Sequence, residues 1–272
     1  MTFLKPTLFL LLLSASVYAQ KLPIKQQNSV LAPANIKIDG KLTEWDEKFQ
    51  AYNDVSRIYY TISNDERNIY LTARMDGERA NMKALYGGIT FTIRQVGQNN
   101  KSKDVKNVAV TYPVIISKGG SLSGRKNDMG EIISGSPVGY KGLIADKANA
   151  DEINAFIAKT NKQMETYFKE IQVLGVKEIK ETLIPTYNTD DIKAIVLFSN
   201  KMEYTYELAV PLKLIEANLG KIEKLNYNIK LNAKPIITAK GVPGPPMFMG
   251  NDPEMNYVSN ATDFSGDYTL AK

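Results

Sequence analysis

Apolar and polar residues change places at every position over long stretches of this chain, and that period of two predicts strands. The clearest stretch is IYLTARMD, where Ile69, Leu71, Ala73 and Met75 fall on one face and Tyr70, Thr72, Arg74 and Asp76 on the other. It forms a hairpin with residues 55–62 through the polar loop 63–68. The alternation returns in Ile89, Phe91 and Ile93, and then in Val108, Val110, Tyr112 and Val114. It appears again in Met202, Tyr204, Tyr206, Leu208 and Val210, a strand that Pro211 ends, and in Tyr227, Ile229 and Leu231. Residues 192–198 form a continuous apolar run of the fully buried kind, and Tyr268 with Leu270 makes the last strand. A short first strand is expected at Ile36 and Ile38. It turns at Asp39-Gly40 into one helical turn at 43–45, with Trp45 over the end of the fold, its indole N–H needing a partner when buried.

The period changes once. Ile153, Phe156, Ile157, Met164, Tyr167, Phe168 and Ile171 recur at helical spacing with Lys and Glu between them, Asp151 offering an N-cap and Gly175 a stop. About nine short strands with one helical interruption predict an all-β protein. The expected architecture is an antiparallel β-sandwich, jelly-roll or immunoglobulin-like, with one inserted amphipathic helix covering a face or an end. Residues 118–149, rich in glycine, read as a long surface excursion.

The first nineteen residues have the form of an export signal. Lys5 supplies the charge, Leu8 to Leu13 the apolar run, and Val17-Tyr18-Ala19 a cleavage site before Gln20. The run is far shorter than the ~20 residues of a membrane-spanning helix. The mature chain is therefore expected to be secreted or periplasmic, without a transmembrane anchor. Residues 20–34 make an extended, loosely held lead-in, and 35–272 a single sandwich with an insertion at about 98–190.

Composition then removes chemistry. The chain has no cysteine and no histidine, which excludes disulfides, Ser-His-Asp catalysis and histidine-ligated metals. A net charge of +5 without a basic aromatic cluster gives no footprint for nucleic acid. The loop GGSLSGRK (119–126) departs from a phosphate-binding loop at Arg125 and Asn127. The acid pairs Asp65-Glu66 and Asp190-Asp191 are sequence neighbours whose side chains point apart, so they do not make a hydrolase pair. No enzyme is expected.

Five blocks resemble carbohydrate-binding family 9-like (DOMON-like) domains. They are IKIDGKLTEW (36–45), NDERNIYLTARMD (64–76), GITFTI (88–93), YTYELAVPL (204–212) and TDFSGDYTL (262–270). The resemblance implies a secreted sandwich that holds a glycan or polysaccharide without catalysis, and it allows a structural calcium on loop oxygens. Sugar-binding members stack glycans between tryptophans, whereas Trp45 is the single tryptophan here and matches the opening motif. The ligand-binding candidates are accordingly Tyr86, Tyr140, Tyr187 and Tyr257 for stacking, with Arg74, Asp76 and Arg94 for hydroxyls. Rings meeting in one groove would favour sugar. Scattered rings would favour the alternative, an envelope protein partner held by the same fold. A lesser alternative is a haem-binding subunit using Met247, Met249 and Lys240.

Overall fold

The structure is a computed structural model and describes residues 21–46, 48–96, 106–114, 149–233 and 251–272. Among the described residues, eleven strands form two antiparallel sheets. The strands are β1 (Ala51–Asn53), β2 (Ile58–Asn64), β3 (Asn68–Met75), β4 (Ile89–Gln95), β5 (Asn107–Tyr112) and β6 (Glu170–Leu174). They continue with β7 (Leu183–Pro185), β8 (Lys193–Phe198), β9 (Tyr204–Pro211), β10 (Lys224–Leu231) and β11 (Thr262–Thr269). The first sheet runs β1-β2-β3-β9-β8 and the second β11-β10-β4-β5-β6-β7.

The alternation does what it predicts. Register pairs Ile58 with Met75, Tyr60 with Ala73 and Ile62 with Leu71, and continues to Tyr206 and Leu208 on β9, so one apolar face spans the first sheet. Ile89, Phe91 and Ile93 align with Tyr227, Ile229 and Leu231 in the second. The two faces share one core in which Ile62, Leu71 and Leu208 are wholly buried. Each such side chain contributes about 1.5–3 kcal/mol of burial free energy. Across the core, the hydroxyls of Tyr60 and Tyr227 meet at 2.9 Å, and Tyr60 packs against Phe264 at 5.1 Å between ring centroids. The molecule is thus an all-β sandwich.

The helix Ala150–Tyr167 is the expected one, with two changes. Its N-cap is Asn149, which accepts from Asp151 and Glu152 N–H in a capping box. It stops at Tyr167, and Ile171 belongs to strand β6, because Ile171 and Val173 turn inward at a period of two. The helix lies along β8, where the Asn161 amide bonds both Phe198 N–H and C=O at 2.8 and 2.9 Å. It covers an edge strand that would otherwise expose unpaired backbone.

Three further α-helices among the described residues were not expected: Glu78–Gly87, Leu212–Leu219 and Pro253–Ser259. Strands β1, β6 and β7 were also unforeseen; β5, β6 and β7 extend the second sheet on its far side. No helix among the described residues is long and apolar enough to cross a membrane.

Two expectations near the start of the described chain are corrected. Ile36 and Ile38 form no strand. They open a strap over the outer face of the first sheet, where the Asp39-Gly40 turn is gripped by the opposite strand. Glu207 accepts from Asp39 N–H at 3.0 Å and Gly40 N–H at 2.7 Å, while Thr205 donates to Gly40 C=O at 2.7 Å. Gly40 has φ +80°, and a Cβ there would come within 2.6 Å of Leu197. Both the backbone region and the space require glycine. The lead-in is not loosely held either. The Gln26 amide bonds Ile62 N–H and C=O at 2.7 Å, and Val30 and Ala32 pair with Asn64. These contacts continue β2 beyond the end of short β1.

Candidate functional site

The outer face of the first sheet carries a row of positioned polar and aromatic side chains. On β2, β3 and β9 the residues facing away from the core include Tyr59, Arg74 and Thr205, which stand side by side in register. Arg74 is fixed from three sides. Its Nη1 meets Glu203 at 3.0 Å, and its guanidinium lies 4.7 Å from the Tyr59 ring centroid and 5.4 Å from that of Phe49. The ring row continues, with Tyr59 and Tyr52 at 4.4 Å between centroids. Tyr52 O–H donates to Asp76 at 2.6 Å. Burial, followed by the Asp76 bond, raises the Tyr52 phenol well above its ordinary range, so it remains a donor.

A cleft of about 750 Å³ opens beside this row, between the strap, β8, β9 and the helix that covers β8. Its polar lining includes Lys41, Thr43, Asp46, Arg74, Asn200 and Glu203. Two cations and two carboxylates balance there, which suits a neutral polar ligand better than a strongly charged one. Tyr52 and Tyr59 are half-buried and Phe49 is buried. The arrangement joins ring faces for apolar C–H surface to hydrogen-bonding groups around them.

Beneath the strap sits Glu207. It is wholly buried, its Oε1 has no partner among the described residues, and the neighbouring Thr72 hydroxyl is likewise unpaired. Burial pushes the Glu207 carboxyl up to about 8, against the pull of the Gly40 and Asp39 N–H groups. It positions the rim of the cleft. Trp45, in the turn Thr43–Trp45, is half-buried, and its indole N–H finds no acceptor among the described residues, contrary to expectation.

The candidates chosen from sequence do not meet in one place. Arg74 and Asp76 belong to the outer face just described. Arg94, on β4, leaves the opposite sheet, since its neighbours Phe91 and Ile93 face the shared core; it cannot serve the same ligand. Tyr86 is not in a loop. It lies in helix Glu78–Gly87 and is 8% exposed, which withdraws it from stacking. Tyr187 is 98% exposed in the loop after β7, at the far edge of the second sheet. Tyr257 lies in helix Pro253–Ser259. Its O–H donates to Ser56 C=O at 2.8 Å, while Arg57 and the Lys83 ammonium lie 4.4 and 4.1 Å from its ring centroid. It is a tie between helices and the β1–β2 turn. Tyr140 and the Met247, Met249 and Lys240 set lie outside the described residues. Among those described, no group of three or more acidic side chains is placed to hold a metal ion.

Comparison with family models, with curated proteins and with solved structures finds no match. The site stands on its geometry. Sequence reasoning missed Tyr52, Tyr59, Phe49 and Glu203. Tyr59 was within reach, because it faces outward directly opposite Arg74 in the predicted hairpin; Tyr52 was not, because β1 is too short to show a period.

Proposed function

We propose that this protein is an exported, non-catalytic carbohydrate-binding module-like protein, secreted or periplasmic, that holds a glycan across the outer face of its first sheet. The observation that carries the reading is the row Phe49–Tyr59–Tyr52 with Arg74 and Asp76 tied to it beside the polar cleft. A sugar ring presents a C–H face to an aromatic and hydroxyls to charged and amide groups, and both kinds of partner are supplied here. The export pattern of the first nineteen residues and the five blocks that resemble family 9-like domains support the same reading. Affinity electrophoresis through gels cast with neutral polysaccharides tests it. Retention of the wild type that is lost in Tyr59→Ala and Arg74→Ala, and kept in Tyr187→Ala, is expected. Migration unaffected by every polysaccharide removes the proposal.

A second reading, an envelope protein-interaction module, is favoured by one observation. Tyr86, Tyr187 and Tyr257 are dispersed over separate parts of the fold rather than gathered around a sugar. A crosslinked partner recovered from envelope fractions by the wild type but not by a Tyr187→Ala variant would support it.

A further inference from the structure

We infer that the strap at residues 36–46 is a proton-operated clasp, shut over the first sheet while Glu207 carries its proton and lifting from the folded sandwich when Glu207 ionises. The strap belongs to neither sheet, and of its residues only Gly40 and Leu42 are buried. Its hydrogen bonds to the sheet converge on one turn. Asp39 and Gly40 N–H donate to Glu207 Oε2 at 3.0 and 2.7 Å, and Thr205 donates to Gly40 C=O at 2.7 Å. Among the described residues the strap has no other hydrogen bond to the sheet. A segment fastened at one point opens at less cost than the strands beneath it.

The surroundings of Glu207 set the direction. Its Oε1 has no partner among the described residues, and neither has the hydroxyl of Thr72, which stands opposite it on β3 with Thr61 of β2 beyond. On its other side stands Ile195 of β8. The charged groups of the strap that act on it are Asp39 and Glu44, both acids. Arg74 of β3 is committed to Glu203 at 3.0 Å, and Lys37, Lys41 and Lys48 are exposed. A carboxylate here is buried beside acids with no cation paired to it, so the closed strap favours the proton. The two N–H bonds pull the other way, and burial outweighs them, holding the carboxyl up to about 8 against the ordinary 4.5. With the strap lifted, water reaches the group and that penalty disappears.

The clasp reaches the cleft because the strap is one of its walls. Gly40, Lys41 and Thr43 stand on the strap side, and Arg74 and Glu203 stand opposite. Closure assembles the cleft and lifting takes it apart, so ligand retention falls as pH rises from 4.5 towards about 8. The effect on retention rests on the glycan-binding function proposed above, whereas the lifting itself does not.

Amide exchange of the folded protein tests the clasp without any ligand. After correction for intrinsic exchange, the opening constant at Gly40 N–H should rise about tenfold per pH unit, or about a hundredfold between about pH 5.5 and about pH 7.5, because opening releases one proton. It should stay level in Glu207→Gln, which keeps an oxygen for both N–H groups and does not titrate. Leu71 N–H, on β3 between two paired strands, is the reference. An opening constant at Gly40 that ignores pH overturns the proposal. So does one equal to that of Leu71, since the strap would then leave only with the whole fold. If Glu207→Gln does not fold, the carboxyl carbon resonance of Glu207 in the wild type decides. Its titration should track the rise at Gly40, and a carboxyl already ionised at about pH 5.5 overturns the clasp. Affinity electrophoresis with neutral polysaccharides at the same two pH values separates the glycan question. Retention that weakens at the higher pH in the wild type but not in Glu207→Gln ties the clasp to the cleft, and equal retention at both breaks that tie. No retention at either removes the glycan-binding function, while exchange at Gly40 still decides the clasp.

Discussion

Replacing Glu207 by Gln tests whether the carboxyl under the strap is held neutral by its burial. The group is wholly buried, and its carboxyl is pushed from the ordinary 4.5 up to about 8. An acid raised in this way stabilises the fold fully below pH 4.5. That contribution is lost progressively as pH rises to about 8, because the unfolded chain ionises first. Each pH unit inside the window is worth ~1.4 kcal/mol, so moving from about pH 5.5 to about pH 7.5 removes roughly 3 kcal/mol through Glu207 alone. Gln keeps the shape and one oxygen for the Asp39 and Gly40 N–H groups, but it does not titrate. The stability of Glu207→Gln relative to wild type should therefore climb by ~1.4 kcal/mol per pH unit across that window. Every group common to both proteins cancels in the difference.

The assay is urea unfolding at several pH values, read by the fluorescence of Trp45, the chain's single tryptophan, which lies in the strap itself. Parallel stability curves for the two proteins would show an ionised Glu207, with the two N–H groups outweighing burial, and would refute the reasoning. Glu207→Leu is the companion variant. It leaves both N–H groups without an acceptor and should cost roughly 2–4 kcal/mol even at about pH 5.5, where Gln is nearly neutral.

Lys83 supplies the opposite slope. It is wholly buried, donates to Thr262 at 2.9 Å, and is lowered to about 7 by burial and then by Arg57. Its stabilisation is present above 10.5 and lost as pH falls to about 7, so Lys83→Met should gain on the wild type by ~1.4 kcal/mol per pH unit going down through that range; a pH-independent gap in thermal melts would sink this. Gly40→Ala places a methyl against Leu197 at positive φ and should destabilise by about 2 kcal/mol or more in urea unfolding. Asn161→Ala removes both bonds to Phe198 and should cost about 1–3 kcal/mol, with faster amide exchange at Phe198.

The two-sheet architecture was legible because its strands bury one face each. Ile69, Leu71, Ala73 and Met75 declare that face without reference to anything distant. Two of the three unforeseen helices lack such a signature. Helix Glu78–Gly87 buries Asn81 and Lys83 along with Ala80, Ala84 and Leu85, so no apolar stripe marks it. Helix Pro253–Ser259 did carry a local signal, Asp252 capping Glu254 and Met255 N–H ahead of Pro253, and it is short enough to pass for a loop. The candidate site was legible only in half. Arg74 and Asp76 follow from the alternation, and Tyr59 stands opposite Arg74 in the same hairpin, but Tyr52 comes from a three-residue strand and Phe49 from the segment just before it, which pairing in space brings together.

What alternation cannot tell is whether an outward face meets water. Thr72, Thr205 and Glu207 stand on the outer side of the first sheet, where a strand pattern alone assigns them to solvent, yet all three are buried. The cause is the strap, and the strap is held there by the very residues it buries. Glu207 and Thr205 bond the two sides of the Asp39-Gly40 turn. This explains why IKIDGKLTEW and YTYELAVPL belong together although about 160 residues separate them. One block supplies a turn whose N–H groups need an acceptor, and the other supplies that acceptor at an outward position of a central strand. The same closure builds the cleft, since Gly40, Lys41 and Thr43 form one wall, and Arg74, Glu203 and Thr205 come from the sheet opposite. A substitution that releases the turn must therefore loosen the cleft wall and expose Thr72 together. Where the wild type is retained by a polysaccharide as proposed, loss of that retention in Glu207→Leu, at a pH where the sandwich remains folded, is the outcome this coupling requires.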